Sequence, residues 1–357
     1  MMEKQTNPNI QKSEERLKII EKIKQYEKEG KFDQDVEDDP PTITLTPEKV
    51  DYLNEKLTSK AKNRFANRIG ERFLNEIIEN KQLIVKEIRG LENMEGLESG
   101  ALITCNHFNP FDSFAVEEAF RNAKLNKKQK LFIVLREGNY TNFPGFYGFL
   151  FRNCNTLPLS SNKRTMVKFM EAADIILQRG DFILIFPEQS MWWNYKKPKP
   201  LKIGAYKIAA RNNVPILPIF ITMEDSNVMG EDGFYVQEYT VNIGKPIFPD
   251  ENLTEKENLE IMKEKNIVAE EVYELENSEE QIRFELFKVI QNNFVINKCE
   301  NCGRLFIPVT SSNNPNQKAR NDQKYCNNLY LDTGKTCREI GATNKHKEKV
   351  ENSDILK

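Results

Sequence analysis

Long apolar runs are missing from this 357-residue chain. No window approaches 18 uninterrupted hydrophobic residues, which excludes a transmembrane helix. An excess of charge of one sign is missing too: 52 Lys and Arg face 54 Asp and Glu, a formal net charge of −2. That balance counts against a surface built as a whole to bind nucleic acid, leaving only local basic patches. Cysteine is scarce, and six in a chain of this length are too few for a disulfide scaffold. Behind the charges of the opening, MMEKQTNPNIQKSEERLK, there is no apolar core of the kind a secretory signal carries. What is there, 39% hydrophobic and 30% charged residues, is polar for a globular chain yet long enough for about two domains. The expectation is a cytoplasmic protein, soluble or peripheral.

Composition shifts divide the chain. Residues 1–48 read as a charged segment with a short amphipathic helix (Leu17, Ile20, Ile23) and a linker. The linker is the acidic stretch from Phe32 to Asp39, stopped by Pro40 and Pro41, which carries too little apolar surface to order itself. Residues 49–275 form the main domain. It opens on a helix with Phe65, Ile69, Phe73 and Ile77 at i, i+4 spacing, and with Lys60, Lys62, Arg64, Arg68 and Arg72 off that stripe. Packing on the domain and lying on a membrane surface are both open to such a helix. Short apolar runs then alternate with helical patterns: Leu83–Ile88, Ala101–Cys105, Lys130–Val134, Phe182–Phe186, Ile216–Ile221 and Thr240–Ile243, with helices over Lys163–Arg179 and Lys202–Asn212. This predicts an α/β fold, a mixed, largely parallel sheet with helices on both faces. Ligands in such sheets bind beyond the carboxyl ends of the strands. Residues 276–297 read as a connecting helix, 298–343 as a cysteine-bearing module and 344–357 as a disordered tail.

One of only two histidines, His107, stands just past the predicted strand ending at Cys105. Asn109 and Pro110 suit the N-cap and first position of the next helix, which places Asp112 in its first turns. Asp112 can then accept the imidazole Nδ1–H and leave Nε2 as a general base. A structural or capping role is the competing reading of one His and one Asp five apart. No Ser or Cys nucleophile stands beside the pair in an elbow motif, which suits direct attack by a substrate hydroxyl.

The block from Asn106 to Asp112 resembles the NHxxxxD motif of the glycerolipid acyltransferases, the family of the lysophosphatidic acid and glycerol-3-phosphate acyltransferases. Phe149–Ser160 resembles the family's second motif, Phe186-Pro187-Glu188-Gln189-Ser190 its third (FPEGTR), and Val214-Pro215-Ile216-Leu217-Pro218 its fourth (VPxxP). Leu201–Ala205 is similar to its KxG segment, and the whole resemblance covers about residues 85–250. It implies acyl transfer from acyl-CoA or acyl-carrier protein to a lysophospholipid-type acceptor at a membrane's inner face, without a catalytic cofactor. His107 and Asp112 would be catalytic, and Asn106, Glu188, Ser190, Arg136 and Lys202 would bind substrate. Glu188 would position the acceptor, with satisfaction of a helix N-terminus as its alternative reading. Two departures touch the acceptor site. Ser160 or Ser161 stands where the second motif closes on Arg, and Gln189, Ser190 and Met191 replace the third motif's Gly, Thr and Arg. The family holds the acceptor's phosphate with those arginines; Lys163, Arg164, Lys196, Lys197, Lys199, Lys202 and Arg136 are the substitutes at hand. The aromatic stretch from Phe143 to Phe151 and the pair Trp192 and Trp193 suit a membrane interface, an acyl-chain wall or plain core.

Cys299 and Cys302 form a CxxC knuckle backed by Gly303, and Cys326 and Cys337 follow. Four thiolates in a segment too poor in apolar residues to fold alone point to structural zinc, with His346 as an alternative to Cys337. The segment resembles poorly characterised bacterial four-cysteine domains found at C-termini. A catalytically inactive lipid- or acyl-binding protein and a zinc-module nucleic-acid binder are the competing whole-protein readings.

Overall fold

The computed structural model describes residues 12–38, 41–274, 297–306, 323–330, 334–341 and 343. They fall into two units that divide between Glu274 and Leu275.

The first unit is built on a seven-stranded sheet. Its strands are β1 (Ile84–Arg89), β2 (Ala101–Thr104), β3 (Leu131–Leu135), β4 (Thr156–Pro158), β5 (Phe182–Ile185), β6 (Ile216–Met229) and β7 (Tyr235–Ile243). The spatial order is β1-β7-β6-β2-β5-β3-β4. Every neighbouring pair is parallel except β6 and β7, so the sheet is mixed and largely parallel, as expected. The three-residue edge strand β4 is the one the apolar runs did not announce. Alternation along the strands divides the core. Ala101 and Ile103 of β2 face one layer with Ala115, Val116 and Ala119 of helix α3 (below), whereas Leu102 and Ile183 face Phe169, Ile176, Tyr206 and Met262 on the other. This two-sided burial explains the near-continuous apolar composition of β2 and β5.

The helices of this unit are α1 (Glu14–Glu29), α2 (Leu57–Glu79), α3 (Asp112–Asn122), α4 (Glu137–Asn142), α5 (Gly145–Asn153), α6 (Lys163–Gln178), α7 (Gly204–Asn212) and α8 (Glu255–Glu274). Among the described residues no helix is long and apolar enough to cross a membrane. In α2 the buried face is Asn63, Ala66, Leu74 and Ile77, and Phe73 packs against it, so the C-terminal half of the expected stripe is used whereas Phe65 is 61% exposed. Asn63 is drawn inward because its amide donates to the Asn153 carbonyl and to Asn155 Oδ1.

The expected linker before residue 49 is instead folded wherever it is described. Ile19 and Ile23 of α1 pack with Val36, Trp192 and Trp193, all of them buried. Leu45 is 1% exposed. The isolated apolar residues of this acidic stretch find partners some 150 residues away, which supplies the burial that its local composition lacks. Both tryptophans are therefore core, and the interface reading for them is withdrawn.

In the second unit, β8 (Asn297–Lys298) pairs antiparallel with β9 (Leu305–Phe306) around the CxxC knuckle. Residues 276–296 of the expected connecting helix, His346 and the tail 344–357 lie outside the described residues.

Candidate active site

The imidazole stands where the parallel sheet ends. Beyond β2 the chain turns through Asn106 and His107, and α3 begins at Asp112 with Phe111 as its N-cap, two residues later than Asn109 and Pro110 suggest. Asn109 instead accepts from the Phe111 N–H through its side chain. Asp112 is 2% exposed, and its Oδ2 lies 2.7 Å from His107 Nδ1. The same oxygen accepts from the Phe108 amide at 3.2 Å and the Asn109 amide at 3.5 Å. A carboxylate receiving these donors keeps Nδ1 protonated and turns Nε2 outward as an acceptor. The ring stacks on Phe186, centroid to centroid 4.3 Å, and His107 lines a cavity of about 1650 Å³.

The backbone of that turn is anchored from a second direction. Glu188 Oε2 accepts the His107 N–H at 3.0 Å, and Oε1 accepts the Lys199 N–H at 3.1 Å. Lys199 Nζ sits 3.3 Å from Glu188, with both side chains 1% exposed, and donates to the Ser190 carbonyl. Burial pushes the Glu188 carboxyl up and the Lys199 ammonium down, and each one's charge works against the other's shift. The Glu188 oxygens thus hold the His107 turn, and a loop rather than a helix follows Pro187, so the helix N-terminus reading is not met. Ser190, 1% exposed, donates to the Phe32 carbonyl and is likewise structural. Asn106 is locked onto β6, donating to the Ile221 carbonyl and accepting the Ile221 N–H, so its side chain continues the β2 pairing. The Gln189 and Ser190 amides donate to the Phe186 and Glu188 carbonyls.

Arg136 and Lys202 line the same cavity as His107. Both face acids from the N-terminal segment. Arg136 bonds Asp35 through two nitrogens at 3.0 and 2.8 Å, and Lys202 Nζ is 3.5 Å from Asp33 Oδ2. Where the second motif lacks its Arg, Glu137 forms a node: Ser160 Oγ lies 2.7 Å away, and the Ser161 and Leu45 amides donate to it at 3.0 and 2.7 Å. Burial opposes ionisation of Glu137, but these donors prevail and hold its carboxyl below the usual range. Of the other basic candidates, Lys163, Arg164, Lys196 and Lys197 are exposed, whereas Lys199 is buried. Lys199 and Glu137 carry no sequence signal that separates them from the surrounding charges.

In the second unit the sulfurs of Cys299, Cys302, Cys326 and Cys337 lie within 4.8 Å of one another. Four thiolates at ~2.3 Å from a tetrahedral zinc stand about 3.8 Å apart, so the set fits. Burial raises the Cys299 thiol, but amide donors, the Cys326 N–H first among them, outweigh it and bring it down to about 6.

Residues 85–222 match the family model described as Acyltransferase, and residues 255–357 match one described as a family of unknown function (DUF6076). The chloroplastic 1-acyl-sn-glycerol-3-phosphate acyltransferase of Brassica napus is 24% identical over 166 residues, 45% of this chain. The chain spans only 45% of the length of that curated relative. The crystal structure of the 1-acyl-sn-glycerophosphate acyltransferase of Thermotoga maritima is similar at 19% identity and a TM-score of 0.38, over 61% of this chain and 84% of that one.

Proposed function

We propose that the protein, whose residues 85–222 match the acyltransferase family model, is an O-acyltransferase that moves a fatty acyl group from a thioester, acyl-CoA or acyl-carrier protein, to the hydroxyl of a lysophospholipid or related glycerolipid. The contact that carries this reading is His107 Nδ1 to Asp112 Oδ2 at 2.7 Å, on the wall of a large cavity. Nε2 takes the proton of the acceptor hydroxyl as its oxygen attacks the thioester carbonyl. The tetrahedral intermediate then collapses, the C–S bond breaks, and the imidazolium returns a proton to the departing thiolate. Asp112 keeps the ring in its reactive tautomer and stabilises the imidazolium. The chemistry calls for no catalytic cofactor.

Arg136 and Lys202 are the cations placed to meet an acceptor's anionic headgroup. The membrane contact lies on α2 and α5, where Leu57, Phe65, Phe146 and Tyr147 are exposed beside Lys60, Lys62, Arg64, Arg68 and Arg72. Apolar side chains amid basic ones suit an anionic inner leaflet, and Tyr147 also lines the cavity, linking the surface to the site. Structural zinc in the second unit is held by Cys299, Cys302, Cys326 and Cys337. A full thiolate set leaves no open position for catalysis. One zinc per chain by elemental analysis, and loss of structure in residues 297–343 on chelation with the melting of the first unit unchanged, are the expected results.

The test of function is a panel of lysophospholipid and neutral glycerolipid acceptors with labelled acyl-CoA and acyl-carrier protein, run beside His107→Ala. Transfer that depends on His107 supports the reading. Lipid binding without transfer to any acceptor would favour an inactive acyl-binding protein.

A further inference from the structure

The cavity wall contains one group that acyl transfer as described does not use. On α3, Ser113, Phe114, Glu117, Phe120 and Arg121 line the cavity, whereas Ala115, Val116 and Ala119 pack on the sheet. Glu117 thus sits between two phenylalanines, one turn on either side, in a stripe whose periodicity calls for an apolar residue. Leu131, Ile133, Leu150 and Phe151 line the same cavity. Among the described residues the Glu117 carboxyl has no hydrogen-bond or ion-pair partner, while the guanidinium of Arg121, its natural i+4 partner, is engaged by Glu118 and Asn75. Burial, with Glu71 and Glu118 nearby, pushes that carboxyl up to about 7 in spite of Arg121, and the Cys154 thiol beside it is pushed up to about 12. Around neutral pH a substantial share of it is therefore the neutral acid, which both donates and accepts, on the cavity wall between Phe114 and Phe120.

Its position says what it could meet. Glu117 lies five residues along α3 from Asp112, about 7.5 Å along the helix axis. A chain whose thioester stands at His107 and which runs beside α3 would pass Glu117 several carbons from its carbonyl. Resting on the acyltransferase reading, we propose that Glu117 recognises a polar group on the acyl chain itself, a hydroxyl several carbons beyond the thioester, so that the preferred donor is a hydroxyacyl thioester. The hydroxyl donates to the Glu117 carbonyl oxygen and accepts from its acid O–H, satisfying both.

The experiment compares straight-chain acyl donors of one length that differ only in a hydroxyl on successive carbons, using the full chain, Glu117→Leu and Glu117→Gln. Wild type is expected to use one hydroxylated donor about five- to tenfold better in kcat/KM than the plain one, the worth of a hydrogen bond. Glu117→Leu should erase or invert that ratio at undiminished melting temperature, and Glu117→Gln, which still donates and accepts, should keep most of it. Equal use of plain and hydroxylated donors by wild type, or a preference that survives Glu117→Leu, overturns the proposal. Plain-donor transfer abolished by His107→Ala upholds the acyltransferase reading whichever way the ratio falls. Should no donor be used at all, that reading fails, and equilibrium dialysis of the free hydroxylated and plain fatty acids decides the role of Glu117. Tighter binding of the hydroxylated acid, lost in Glu117→Leu, supports it, and equal binding rejects it.

Discussion

The two sides of His107 are built differently. On the Asp112 side, the turn is held by groups from the segments that resemble the family's motifs. Asp112 takes the imidazole and two amides, and Glu188 takes the His107 amide while paired with the buried Lys199. On the acceptor side, the groups facing Arg136, Lys202, Ser160 and Ser161 come from residues 33–45 or from Glu137. The His107–Asp112 contact is thus held by one set of segments, while Arg136, Lys202, Ser160 and Ser161 are held by the chain's own acidic segment and Glu137. Under the proposed reading, the base and the headgroup site would then be held by different parts of the chain.

The sharpest way to break that contrast is Asp112→Asn. An amide there no longer enforces the Nδ1–H tautomer, and kcat should fall by ~10²–10⁴ with KM little changed. Steady-state kinetics on one acceptor checks it, and a pure KM effect would place Asp112 on the binding side. Next is Glu188→Ala, which leaves the Lys199 charge buried and unpaired; denaturant unfolding should show a loss of ~3–5 kcal/mol. The paired replacement Glu188→Leu with Lys199→Met should recover much of that loss, though not activity, since the His107 amide loses its acceptor. Smallest is Asp35→Asn. The Arg136–Asp35 pair is half exposed, with side chains 47% and 36% accessible, and is worth about 1 kcal/mol or less. Its removal should lower KM for an anionic acceptor by up to about fivefold and leave a neutral acceptor unaffected. An equal effect on both would detach Arg136 from the headgroup.

Much of the first side was legible in the chain. The apolar runs locate six of the seven strands, because strands buried on both faces are apolar almost throughout, but they miss the last eight residues of β6 and the first five of β7. His107 and Asp112 come together as their spacing across a strand-to-helix turn implies, even though the helix starts later. What stayed hidden depends on distant partners. Asn106 and Glu188 look like substrate ligands by motif, yet their hydrogen-bonding capacity is spent on Ile221, His107 and Lys199. Trp192 lies beside lysines in sequence but under Phe32 and Ile23 in space. Phe65 belongs to a helical stripe of which only Phe73 and Ile77 are packed, since Asn63 claims the interface at its N-terminal end through hydrogen bonds. Periodicity reports which face is apolar and cannot report which buried polar group has found its partner. In the second unit the CxxC knuckle was plain from spacing, and the structure brings in the two remaining thiols.

The account turns on the imidazole of His107. Acyl transfer should be measured for wild type and His107→Ala with the same labelled thioester and acceptor, alongside thermal melting of both. Loss of transfer by at least ~10³-fold, with an unchanged melting temperature, is the predicted result. Transfer at the wild-type rate in a folded His107→Ala protein would contradict it.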